Sequence, residues 1–76
     1  MEETIRNFIL SKTGNLTFSN DDDIFAMGFV NSLFAMQLVN FIEQEFEIMV
    51  GDDDLDISNF NTVNNIAALV RKNRNK

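Results

Sequence analysis

Cysteine, histidine, proline, tryptophan and tyrosine are all missing from these 76 residues. A chain this short holds at most one domain, since domains run to roughly 100–150 residues. A small fold is ordinarily braced by disulfides or a zinc site, and the missing side chains exclude both. They also exclude a thiolate nucleophile, a Ser–His pair, an imidazole acid or base and a soft-metal site. A pocket of about 300–1,000 Å³, large enough to perturb carboxylates for catalysis, is hard to fit in such a chain. The sequence therefore reads as a non-enzyme. No apolar run approaches the 18 or so residues of a membrane span, and the acidic start Met1-Glu2-Glu3-Thr4 lacks a basic signal-peptide region. A cytoplasmic, membrane-free protein is the expectation.

Bases are scarce as well, six Lys+Arg against 12 Asp+Glu. Arg71, Lys72, Arg74 and Lys76 crowd the C-terminus, and Arg6 and Lys12 lie near the start. Between Thr13 and Val70 there are ten carboxylates and no base: Asp21, Asp22, Asp23, Glu43, Glu45, Glu47, Asp52, Asp53, Asp54 and Asp56. Such a field repels nucleic-acid phosphates, attracts basic protein surfaces and opposes self-association, so a monomer is expected. A soluble acidic face with no partner is the alternative. The Asp runs do not make a calcium loop. Counted from Asp52, acids fall at positions 1, 3 and 5, but Ile57 stands where Gly is needed and Val63 where Glu is needed. The run from Asp21 fails at Phe25.

What is present is apolar: 45% hydrophobic residues and eight Phe. Ile5, Phe8 and Ile9 at i, i+3, i+4 predict a helix over 2–12, stopped at Gly14. A connection over 15–31 is too long for an ordinary loop. Its Leu16, Phe18, Ile24, Phe25, Met27, Phe29 and Val30 are expected to be pinned onto the core. Asn31 and Ser32 open the longest helix, to about Glu47, with Asn a favoured cap. Val50-Gly51-Asp52 breaks it, and a short helical turn is predicted near Asp53 to Ile57. Val63, Ile66, Ala67 and Val70 predict a last helix over 63–73, capped by Asn61 or Thr62. The fold class is all-α: a single domain over 1–76, a small four-helix bundle of three main helices plus a short third helix, with a long loop between helices 1 and 2.

At 100° per residue, Ala35, Leu38, Val39, Ile42 and Phe46 gather on the predicted core face of the central helix, with Phe34 and Phe41 on its flank and expected to be buried too. Leu33 and Met36 project to the opposite side with Gln37, Asn40, Glu43 and Gln44. That patch follows Ser32 directly and reads either as a docking surface or as ordinary exposed apolar residues.

Gly28-Phe29-Val30-Asn31-Ser32-Leu33, followed by Met36, Leu38-Val39, Ile42 and Glu43-Gln44-Glu45-Phe46, resembles the acyl carrier protein signature. In that family a Gly-x-x-Asp-Ser-Leu motif opens the second helix, which ends in an acidic run and Phe. The likeness covers essentially the whole chain, including the Asp-rich turn and the Thr62-Val63 start of the last helix. It implies 4′-phosphopantetheine, donated by coenzyme A through a phosphopantetheinyl transferase and attached covalently to Ser32. Acyl groups would ride on it as thioesters. The thiol thus arrives with the cofactor, and the partner transferase supplies the base that the chain lacks. Asn31, Leu33, Met36, Gln37, Asn40 and Glu43 become the expected recognition face for that transferase and for acyl-loading, tailoring and condensing enzymes with basic docking patches.

Asn31 departs from the family's usual Asp, keeping the helix cap but removing one negative charge that transferases can read. The phrase Phe29-Val30-Asn31-Ser32-Leu33-Phe34 resembles free-standing carriers of polyketide or hybrid peptide–polyketide pathways, some of which bear hydroxymalonyl, methoxymalonyl or aminomalonyl extender units. Peptidyl, D-alanyl and fatty-acid carriers are the nearby alternatives. An acidic helical adaptor without a covalent cofactor is the alternative of another class, and an acidic metal-buffering module a third.

Overall fold

The computed structural model describes residues 1–14, 17–28 and 31–74. It contains three α-helices and, among the described residues, no strand: α1 (Glu2–Thr13), α2 (Ser32–Glu45) and α3 (Val63–Arg74). In α1, Glu2 and Glu3 sit in the first turn and Lys12 in the last, the favourable order for a helix dipole. Gly14 ends α1 at φ 76°, a left-handed conformation that side chains with a Cβ disfavour. Thr62 caps α3, its Oγ1 accepting the Asn65 N–H at 2.9 Å. The bases Arg71, Lys72 and Arg74 close that helix at its negative end.

Two differences from the sequence pattern have local causes. Helix α2 ends at Glu45 rather than Glu47, because Glu47 is left-handed at φ 54°. The Ile48 N–H reaches the Glu43 carbonyl at 3.1 Å, the six-to-one bond that terminates a helix in the Schellman motif. In place of one short helix near Asp53 to Ile57 there are two separate 3₁₀ turns, Asp52–Asp54 and Ile57–Asn59. Between them the chain is extended at Asp56, whose carboxylate accepts the Ser58 N–H at 3.0 Å. Asp side chains competing for nearby backbone N–H groups in this way disfavour a continuous helix.

The core joins Ile5 and Ile9 of α1, Phe34, Leu38 and Ile42 of α2, and Val63, Ile66, Ala67, Leu69 and Val70 of α3, with Phe18, Ile24, Ile48 and Phe60 from the connections. Phe8 links α1 to α2, stacking on Phe41 at 4.2 Å and meeting Phe34 at 6.1 Å. That contact turns α2 inward on its Phe34 side. Phe34 is buried as expected, whereas its flank partner Phe41 and Ala35, Val39 and Phe46 of the predicted core face are only half-buried.

Of the long connection, Phe18 and Ile24 are pinned as expected, and Phe25 is half-buried against the core. Met27 is not: it is 38% exposed. Leu16, Phe29 and Val30 lie outside the described residues. Arg6 is the main anchor, donating to the Phe18 carbonyl at 2.8 Å and to Asn20 Oδ1 at 3.0 Å while lying over the Phe18 ring. The Ile24 N–H donates to the Asn61 carbonyl at 2.8 Å, and the Asn61 amide to Asp23 Oδ2 at 3.1 Å. Two ion pairs tie the last helix down: Arg71 to Glu2 at 2.7 Å, and Lys72 to the buried Asp54 at 2.9 Å.

Candidate functional site

Ser32 is the first residue of α2 and is exposed. The chain reaches it through Gly28, held at φ +81°, which accounts for a glycine at that point of the motif. Asn31 is extended at φ −133°, and its Oδ1 accepts the Phe34 N–H at 3.0 Å. This is an N-cap on the third helical residue, and the Asn31 carbonyl takes the Ala35 N–H at 3.0 Å. With the backbone held from both sides, the Ser32 hydroxyl is presented to solvent at a fixed helix start. It makes no hydrogen bond among the described residues. The first turn of α2 carries no acid, so its free N–H groups and dipole favour an anion there.

The other expected site residues divide into three groups. Leu33 and Met36 are 65% and 66% exposed, and Gln37 and Asn40 are exposed on the same helix. Glu43 is different. It is half-buried, and its Oε2 accepts the Val50 N–H at 3.0 Å, so its carboxylate braces the turn after α2. Asn31 is exposed but engaged in the cap.

Beside this face opens a cleft of about 310 Å³ lined by Phe25, Ala35, Met36, Val39, Asn40, Leu55, Asp56, Ile57 and Phe60. Ala35 and Met36 stand three and four residues beyond Ser32, which is one helical turn. The sequence pattern did not bring Leu55, Ile57 and Phe60 to α2. Their signal was Leu55 and Ile57 alternating with acids, which the extended Asp56 separates onto the cleft wall at 52% and 62% exposure.

Among the described residues no group of three or more His, Cys, Asp or Glu is arranged to hold a metal ion. The Asp21–Asp23 run is used internally instead. Asp22 accepts the Ser19 N–H at 2.7 Å, and Asp23 accepts the Phe25 and Ala26 N–H groups at 3.0 and 2.9 Å. Asp21 accepts from the Asn64 amide. No described helix is long and apolar enough to cross a membrane.

The family model described as the phosphopantetheine attachment site matches residues 3–70. The chain is 31% identical over 78 aligned positions to the D-alanyl carrier protein of Lactococcus lactis subsp. lactis (strain IL1403), covering 100% of this chain and 99% of that protein. It is 32% identical over 74 positions to the D-alanyl carrier protein of Lactococcus lactis subsp. cremoris (strain MG1363), covering 95% and 94% respectively. This protein belongs to the phosphopantetheine-attachment family of carrier proteins, whose members bear a covalent 4′-phosphopantetheine and are carriers rather than catalysts.

Proposed function

We propose, starting from that membership, that Ser32 bears the 4′-phosphopantetheine arm and that the protein carries acyl units in polyketide or hybrid peptide–polyketide biosynthesis. The observation that carries the attachment assignment is the solvent-facing, unengaged Ser32 hydroxyl at the capped start of α2. The Ser32 Oγ–P bond forms as the pyrophosphate P–O bond of coenzyme A breaks. Adenosine 3′,5′-bisphosphate leaves, and the hydroxyl proton passes to a base on the transferase. When bound, the arm supplies the thiol on which cargo rides as a thioester. The chain's own part is to hold Ser32 exposed, to offset the phosphodiester charge with the α2 N-terminus, and to offer Leu33, Met36, Gln37 and Asn40 to partner enzymes. The cleft, one turn along α2, gives an apolar part of the cargo or arm a place beside the helix.

The resemblance of Phe29-Val30-Asn31-Ser32-Leu33-Phe34 to extender-unit carriers supports the pathway, with hydroxymalonyl, methoxymalonyl or aminomalonyl cargo. A second reading, a D-alanyl carrier, is supported by the full-length relatives bearing that name. Work in the cytoplasm follows from either. The test is intact mass after incubation with coenzyme A, magnesium and a promiscuous phosphopantetheinyl transferase. The expected result is a gain of one phosphopantetheine mass, lost in Ser32→Ala while the circular-dichroism melt stays unchanged. A gain that persists in Ser32→Ala refutes the site, and none in the folded parent favours the cofactor-free adaptor. Offering the modified protein to a D-alanine-activating ligase and to an extender-unit loading enzyme then separates the two cargo readings.

A further inference from the structure

The cap at the start of α2 leaves one hydrogen-bonding group unspent. Asn31 commits Oδ1 to the Phe34 N–H at 3.0 Å, whereas its Nδ2 has no partner among the described residues. Asn31 is exposed and immediately precedes Ser32. An Asp at this position would cap equally well, but its second oxygen would be an anionic acceptor beside any anion on Ser32. An amide there is a neutral double donor. The first turn of α2, Ser32-Leu33-Phe34-Ala35, contains neither acid nor base, so an acid at position 31 would add a charge to a turn that has none of its own.

We propose that Asn31 is a positioning residue for the modified state, its side-chain amide donating to the phosphodiester carried on Ser32. The inference rests on the carrier reading with Ser32 as attachment point. The anion is brought there covalently, so the helix start need not capture it from solution. The unmodified and modified forms then differ in how they respond to residue 31. Before modification, Asn31→Asp adds a favourable charge at the helix N-terminus. After modification that charge faces the phosphodiester and the gain disappears. Asn31→Ser retains a capping oxygen and adds no charge, but replaces the two-donor amide by a single, shorter O–H donor, and so weakens the donor without touching the charge.

The experiment is a thermodynamic cycle on the full chain: melting temperature before and after modification for the parent, Asn31→Asp and Asn31→Ser. Modification is verified by intact mass. The expected result is that modification changes the melting temperature by about 2–6 °C less favourably in Asn31→Asp than in the parent, given the size of helix-terminus charge effects in a domain this small. Asn31→Ser should fall between, and the Asn31→Asp difference should shrink with added salt. Equal modification shifts in all three proteins overturn the proposal. A second readout needs no variant: the parent's Asn31 side-chain amide resonances should move and exchange more slowly with solvent on modification. Unmoved amide resonances overturn the inference while a verified mass gain leaves the carrier reading standing. No mass gain in the parent, by contrast, removes both.

Discussion

Replacing Glu43 by Ala separates a recognition role from a structural one. On the helical projection Glu43 shares the outward face with Met36 and Asn40, so its loss would leave the melt untouched. The structure gives it another task. Its Oε2 accepts the Val50 N–H at 3.0 Å, and its carbonyl accepts the Ile48 N–H at 3.1 Å. Both bonds close the turn that carries the chain from α2 toward the Asp52–Asp54 turn. The carbonyl bond survives in Glu43→Ala, while the carboxylate bond does not. A hydrogen bond to a charged group is worth about 1.5–3 kcal/mol when well buried. Glu43 and Val50 are only half-buried, so water satisfies part of what is lost, and about 1 kcal/mol is the reasonable cost. For a domain of this size that is a fall of about 4–8 °C in melting temperature, measured by circular dichroism, with concentration set by amino-acid analysis since Trp and Tyr are absent. Glu43→Gln keeps an acceptor oxygen and should lose less. Asn40→Ala, on the same face, should lose almost nothing. A Glu43→Ala melt within about 1 °C of the parent would refute the bracing role and return Glu43 to the proposed recognition surface.

Two further changes test the helix ends. Glu47 occupies the left-handed position at φ 54°, where Gly carries no steric penalty, so Glu47→Gly should stabilise the fold by about 0.5–1 kcal/mol in a denaturant titration. No gain would mean that the Glu47 side chain compensates for its backbone. At the other end, the hydrogen bond from Arg71 holds the Glu2 carboxyl below its ordinary value of 4.5. A depressed carboxyl contributes stability above its unfolded value, and that contribution is lost as pH falls through the lower folded value. Glu2→Gln should therefore melt below the parent at neutral pH and converge with it in acid, and a constant gap across that range would refute the pairing.

Much of the fold was legible because its apolar spacings are regular. Ile5 and Ile9, Leu38 and Ile42, and Val63, Ile66, Ala67 and Val70 are all buried as the helical period requires. The end of α2 was less legible, because a Glu in the left-handed conformation leaves no signal of the kind Gly14 leaves. The short helical turn expected near Asp53 to Ile57 is instead two 3₁₀ turns, since Asp56 between them spends its side chain on the backbone. The candidate site divides the same way. Ser32, its Asn31 cap and the exposed Leu33 and Met36 follow from sequence and projection. The cleft depends on where α2 meets Leu55, Ile57 and Phe60, a tertiary contact that no local pattern encodes.

The uncompensated acids are also less available than their number suggests. The carboxylates of Asp21, Asp22, Asp23, Glu43, Asp54 and Asp56 all accept hydrogen bonds from donors within the chain. Glu45 and Glu47, near the C-terminal end of α2, make no such bonds among the described residues. Glu45 lies about 20 Å along the helix axis from Ser32 at 1.5 Å per residue, with Glu47 just past the helix end, whereas exposed Leu33 and Met36 flank the Ser32 end. Charge and apolar contact are thus separated along the helix, and a partner enzyme that uses both should respond differently to each. Long-range charge governs encounter and is screened by salt, while short-range packing governs residence. Glu45→Gln should lower the association rate with the transferase, with the defect fading as salt rises. Met36→Ser should instead speed dissociation at any salt, with little loss of stability because Met36 is 66% exposed. Surface-bound kinetics over a salt series measures both, and a salt-independent Glu45→Gln defect or a Met36→Ser defect confined to association would refute this division.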